Sequence, residues 1–268
     1  MSRTLFDEAV ALAPAGEGCW TGHTHPGWAN MIGPFGGISA AALLHAVLLH
    51  PQRLGEPVSL TVNFAAAVAD GPYELRARPA RTNRSTQHWW VEMLQGGETV
   101  LTATAITAVR RDTFEMTEAL APVVPRPLDL PRSDPARVTW TRRYDLRVVE
   151  GEPPATWDAS DSGHSRSLLW MRDDPHRPLD WLSLTALADV FIPRIWRRRA
   201  TLVPLGTVTM TVYYHAGPQQ LAETGTGFVL GQAQAQGFRA GYNDQAALLW
   251  NEAGTLLASS HQWMYYKE

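Results

Sequence analysis

Cysteine and lysine are nearly missing from this chain, and each absence closes a class of explanation. Cys19 is the single cysteine among 268 residues, so neither an intrachain disulfide nor a cysteine-rich zinc site can form. Lys267 is the single lysine and the other basic residues are arginines, a bias that reads as a coding preference. Positive charge is not in excess: 23 basic residues face 26 acidic ones, for a net charge of −3. Nucleic-acid partners are not expected, because nothing is spare to neutralise phosphates. No apolar run reaches the roughly 18 residues of a membrane span. Asp7 and Glu8 stand where a signal peptide would need its apolar stretch. With 45% hydrophobic and 18% charged residues, the chain is expected to fold as a soluble, cytoplasmic protein with no membrane partner.

Familiar catalytic signatures are also missing. Gly37-Ile38-Ser39-Ala40-Ala41 lacks the second glycine of a serine nucleophile elbow. Gly225, Gly227 and Gly231 are wrongly spaced for a dinucleotide-binding loop. His23-Thr24-His25 has no carboxylate or cysteine cluster nearby in sequence and reads as a solvated loop, so neither a metal nor a cofactor is expected. Arg197, Arg198 and Arg199 follow a predicted helix, where they suit its C-terminal dipole or could grip a ligand phosphate.

What is present is a repeated order of elements. Pro122, Pro125, Pro127, Pro131 and Pro135 mark a linker or surface strap over 116–137, between an N-terminal unit, 1–115, and a C-terminal unit, 138–268. In the first unit Gly36 and Gly37 open the alanine- and leucine-rich run ISAAALLHAVLL, a helix ended by Pro51. About four antiparallel strands follow, with a short strand near Trp20. The second unit begins with strand-like VTWTRRYDLRVV, continues through a helical DWLSLTALADVFI ended by Pro193, and closes with four strand-like runs. Thr61-Val62-Asn63-Phe64 matches Thr211-Val212-Tyr213-Tyr214, which points to duplication. The expected fold is α+β: a double hotdog, two tandem units each wrapping a long antiparallel sheet around a central helix.

Three residues of the second unit invite chemistry. Asp189 interrupts the apolar helical stretch ALADVFIP, so it is either on a solvent-facing stripe or a desolvated, strengthened base. Gln262 shares a strand face with Ala258, Ser260 and Met264, as a structural bridge or a water-positioning amide. Thr207 opens the strand TVTMTVYYHA and alone reads as a surface threonine.

Together these residues resemble the acyl-CoA thioesterase II family, whose members are double hotdogs. The carrying motifs are Ala186-Leu187-Ala188-Asp189 running to Pro193, Gly206-Thr207 followed by Tyr213-Tyr214-His215, Leu256 to Gln262, and Phe35-Gly36-Gly37. Ala216-Gly217-Pro218 departs from the family's usual Arg-Pro after the strand histidine, and bulky Trp263 and Met264 follow Gln262. The resemblance implies an acyl-CoA substrate and a water held by Asp189, Thr207 and Gln262. It also implies an oxyanion site at the Gly36-Gly37 helix start, homo-oligomerisation, and no cofactor. The acyl chain would pass Trp89 and Trp90 unless these belong to the core. Two other readings share the fold: a silent acyl-CoA or acyl-carrier binding protein, and an enoyl-thioester hydratase using a histidine such as His45. Overlaying the two units places Leu43 opposite Asp189 and Ile106 opposite Gln262, so a single working centre per chain is expected.

Overall fold

A computed structural model describes residues 3–134 and 138–268; Pro135 and the end of the linker expected at 137 lie outside the described residues. The N-terminus forms α1 (Leu5–Ala9), closed by a capping box in which Thr4 and Asp7 satisfy each other's backbone N–H groups. β1 (Ala13–Gly16) and β2 (Cys19–His23) precede α2 (Gly36–Leu48). Ala40, Ala41, Leu43, Leu44, Ala46 and Val47 of α2 are buried on every side, as a helix apolar all round must be. β3 (Glu56–Phe64), β4 (Pro72–Thr82), β5 (Thr86–Gln95) and β6 (Glu98–Ala108) are the four expected strands.

The second half repeats this series: β7 (Tyr144–Glu150), β8 (Ser167–Asp173), α3 (Trp181–Leu187), α4 (Arg194–Arg199), β9 (Leu205–Tyr214), α5 (Pro218–Thr224), β10 (Val229–Gln234), β11 (Phe238–Arg239), β12 (Tyr242–Asn251) and β13 (Leu256–Tyr266). Three expectations need correcting here. The strand expected from Val138 starts only at Tyr144, after a 3-10 turn over Thr139–Arg143. The expected helix through Ile192 stops at Leu187. Asp189 and Val190 donate to the carbonyls three residues back, a tightening that ends the helix, and Pro193 disfavours its resumption across the break. The arginine run therefore lies within a separate helix, α4.

The strands form one antiparallel sheet in the order β1-β2-β4-β5-β6-β3-β9-β13-β12-β10-β8-β7, with β11 beside β12. The order reads alike from either end, so β3 matches β9, β6 matches β13 and β5 matches β12. At the seam Thr61 pairs with Thr211, its own counterpart, and their hydroxyls are 3.0 Å apart. The flanking pairs Ser59–Tyr213 and Asn63–Thr209 exchange under the same pseudo-twofold axis. α2 and α3 pack together inside this sheet, and the result is a double hotdog. The proline-rich segment straps the outer face of the second half: Trp170 and Trp250 donate their indole N–H groups to the carbonyls of Pro125 and Ala119.

Candidate active site

The site forms where the start of α2 meets the turn after α3. A Cβ on Gly37 would lie 2.7 Å from the Ala186 carbonyl oxygen, and one on Gly36 would lie 2.8 Å from Asp189 Oδ2. Two glycines are therefore what lets the α2 N-terminus sit directly on this turn. The Gly37 backbone N–H faces the Asp189 carboxylate and favours its charged form. This is one of the donors that a helix start leaves without an intrahelical partner, and the helix dipole favours the negative charge there. Gly36 and Gly37, expected at the oxyanion site, thus stand at the helix start directly against Asp189.

Gln262 approaches from the sheet. It is buried on the inner face of β13, and its Nε2 donates to Asp189 Oδ1 at 2.8 Å. An amide beside a carboxylate must present its NH₂ end, which leaves Oε1 directed elsewhere, and that oxygen has no partner among the described residues. Asp189 itself keeps partial exposure, but protein surrounds its carboxylate. Burial raises its pKa from 3.8 to about 7, against the opposing pull of the hydrogen bonds from Gln262 and Gly37. The result is a carboxylate poised for proton transfer near neutrality.

Thr207 is brought to the same face by an irregularity. On β9, Thr209 pairs with Trp263 and Thr207 with Met264, so Val208 is an extra residue. This bulge turns Thr207 inward beside Met264, one step along the face from Gln262. No hydrogen bond joins Thr207 to Asp189 or Gln262 among the described residues. The structure thus joins two of the three expected residues directly and sets the third nearby.

The register also corrects the overlay of the halves. Thr61 pairs with Thr104 and Thr211 with His261, which makes Ala105, buried like Gln262, its true counterpart; Ile106 faces the other way. The cause is one extra residue in the second hairpin: two residues separate Gln95 from Glu98, and three separate Asn251 from Thr255. Trp89 is a core residue whose indole N–H donates to Thr107, and Trp90 stands half-exposed on the outer face.

Several of the remaining candidates have protein partners. Arg198 pairs with Asp161, and Arg199 lies 3.8 Å from Glu268. His25 faces Glu8, while His23 Nδ1 meets the Thr24 carbonyl. His45, the histidine a hydratase would need, is bonded to the Val10 carbonyl at 2.7 Å. The aromatic wall beside α2 was not anticipated: Phe35 stacks on Trp140 with centroids 4.1 Å apart and meets Tyr144 edge-on. Its only sequence signal was the position of Phe35 immediately before the glycines.

Comparisons with known proteins agree with this architecture. Residues 24–108 match the acyl-CoA thioesterase N-terminal domain, and residues 118–266 match the acyl-CoA thioesterase C-terminal domain. A hot dog-fold protein of unknown function from Alicyclobacillus acidocaldarius is 44% identical, with 99% of this chain and 98% of that one covered and a TM-score of 0.94. The tesB protein of Mycobacterium avium subs paratuberculosis (17% identity, 97% of each chain, TM-score 0.80) shares the fold. So does the acyl-CoA thioesterase II TesB2 of Mycobacterium marinum (16% identity, 98% of each chain, TM-score 0.76). A search of curated proteins returned no match. With both domains of one family matched in order along a duplicated sheet, the chain belongs to the acyl-CoA thioesterase II family.

Proposed function

We propose that the protein hydrolyses an acyl-CoA thioester to the free acid and CoA by direct attack of water, at one centre per chain. The observation that carries this reading is the Asp189 carboxylate, raised to about 7 and held between Gln262 of the sheet and Gly37 of the α2 start. Asp189 takes a proton from the attacking water as general base. Gln262 Oε1 accepts the water's second hydrogen, and the Thr207 hydroxyl fixes the water from the neighbouring strand. The backbone N–H groups of the Gly36-Gly37 helix start serve the thioester oxyanion. The tetrahedral intermediate then expels the CoA thiolate, which leaves with the proton taken by Asp189. No step in this scheme needs a cofactor.

The first half supports the centre without duplicating it. Ala105 and the Leu43 of the sequence overlay cannot activate water, and burying them avoids unpaired polar groups. In this reading residues 1–115 and 138–268 are two hotdog units joined by 116–137, one supplying the helix start and the other the base. The test is a panel of acyl-CoAs assayed by free-thiol detection. Release of CoA with one dominant acyl class is expected, and no release from any member would refute the reading.

A further inference from the structure

The inner face of the sheet carries a polar group that this mechanism does not use. Gln245 on β12 lies directly opposite Gln262, so their side chains share one face. It is 1% exposed, and neither its Nε2 nor its Oε1 has a partner among the described residues. Another buried glutamine of this chain is fully paired. Gln87 on β5 is equally buried, yet its Oε1 accepts the Leu54 N–H at 2.7 Å while its Nε2 donates to the Gln52 carbonyl and the Thr82 hydroxyl. By the register of the two halves, the counterpart of Gln245 is Trp89, whose indole fills the core and is satisfied by Thr107. Where one half has a filled, paired core, the other has an open-handed amide beside the reacting centre. Two residues along β12 on the same face, Asn243 Oδ1 is also without a partner.

We propose that Gln245 determines acyl specificity by pairing with a hydroxyl group on the acyl chain near the thioester. The inference rests on the thioesterase reading given above. CoA carries phosphates and stays toward solvent, so the buried inner face receives the acyl group. A saturated chain there would leave both ends of the amide unpaired, which is costly in a dry site. A hydroxyl accepts from Nε2 and can donate to Oε1, whereas an oxo group serves only Nε2. A carboxylate would need a buried counter-charge that an amide does not provide. Directly opposed strand residues have Cβ atoms about 5 Å apart, which places the hydroxyl roughly two to four carbons from the reacting carbonyl.

The test compares acyl-CoAs of matched length with and without a hydroxyl at those positions, together with a carboxylated member, on the native chain, Gln245→Leu and Gln245→Met. The native protein should favour the hydroxylated ester by about tenfold or more in kcat/KM. Either substitution should lower that value roughly 10–100-fold while sparing or improving the saturated ester. The melting temperature of the free protein should hold or rise, because an unpaired buried amide has been removed. Equal use of hydroxylated and saturated esters by the native protein would overturn the proposal. So would preference for the carboxylated ester, or an equal loss on all esters in both variants. Release of no thiol at all would refute hydrolysis itself. The specificity claim is then decided by calorimetry with non-hydrolysable thioether analogues. Tighter binding of the hydroxylated analogue by the native chain alone sustains it, and equal binding overturns it.

Discussion

Replacing Asp189 by asparagine exchanges a charge for an amide of the same shape, and it should move activity and stability in opposite directions. Asparagine keeps a carbonyl oxygen to accept from Gln262, which holds the turn after α3, while its NH₂ replaces the oxygen that faces the Gly37 N–H. What is lost is the ability to take a proton. Removing a general base costs roughly 10²–10⁴ in kcat, about 3–5 kcal/mol of barrier. The stability effect follows from the displacement of the carboxyl from 3.8 to about 7. A carboxyl whose pKa is higher in the folded chain binds its proton more tightly there. Stability therefore falls as pH rises from about 4 to about 7 and stays lowered above that. The full gap corresponds to about 4 kcal/mol. Partial exposure of Asp189 reduces it to about 2–3 kcal/mol. At about pH 8.5 the asparagine variant should thus melt roughly 5–10 °C above the native protein, and the difference should shrink toward about pH 5. Native hydrolysis should rise with pH along a limb centred near 7, as the base form accumulates. Melting curves at the two pH values and thiol release across the range measure both halves of the argument. Equal melting temperatures at about pH 8.5, or unchanged turnover in the variant, would refute it.

Gln262→Ala and Thr207→Ala should lower kcat with little change in KM, and the Gln262 loss should be non-additive with Asp189→Asn; additive losses in a double-mutant cycle would count against a shared water. Gly36→Ala places a Cβ 2.8 Å from Asp189 Oδ2, a movable side-chain end, so activity should fall while the melting temperature changes little. Gly37→Ala instead meets the Ala186 carbonyl at 2.7 Å, which is backbone, and should cost about 1–3 kcal/mol of stability; similar melting curves for the two variants would contradict the geometry. Calorimetric titration with a non-hydrolysable acyl-CoA should give one site per chain, and two equivalent productive sites would remove the argument for asymmetry.

Periodicity and turn residues make the first half readable from α2 onward, because the strands after it alternate and are punctuated by Gly and Pro, whereas α1 and β1 are too short to carry a period. The second half was read less well, for local reasons. β8 escaped because its burial pattern is nearly continuous: Trp170 is covered from outside by the proline-rich strap, so no alternation survives in SLLWMRD. α3 was drawn too long since apolar Val190, Phe191 and Ile192 suit a helix by composition. The tightened turn at Asp189 and Val190 and the Pro193 that follows end it sooner. The pairing of Asp189 with Gln262 was reachable only through family resemblance, because 73 residues separate the two positions. The inward turn of Thr207 depends on a bulge, and the one-residue error over Ile106 depends on a hairpin length. A side-chain period of two makes either kind of detail decisive.

The Thr61–Thr211 pair on the pseudo-twofold axis has a consequence for how such a chain can vary. A side chain on an axis meets its own counterpart, so it must be complementary to itself. A hydroxyl qualifies because it can donate in one copy and accept in the other, whereas like charges there would repel. Away from the axis, the covalent join removes that obligation. In an assembly of identical chains every substitution is made twice, and an amide introduced at one reacting centre would also be buried at the other. A single chain carrying both halves can hold Gln262 on one side and Ala105 on the other, and change either without the other's consent.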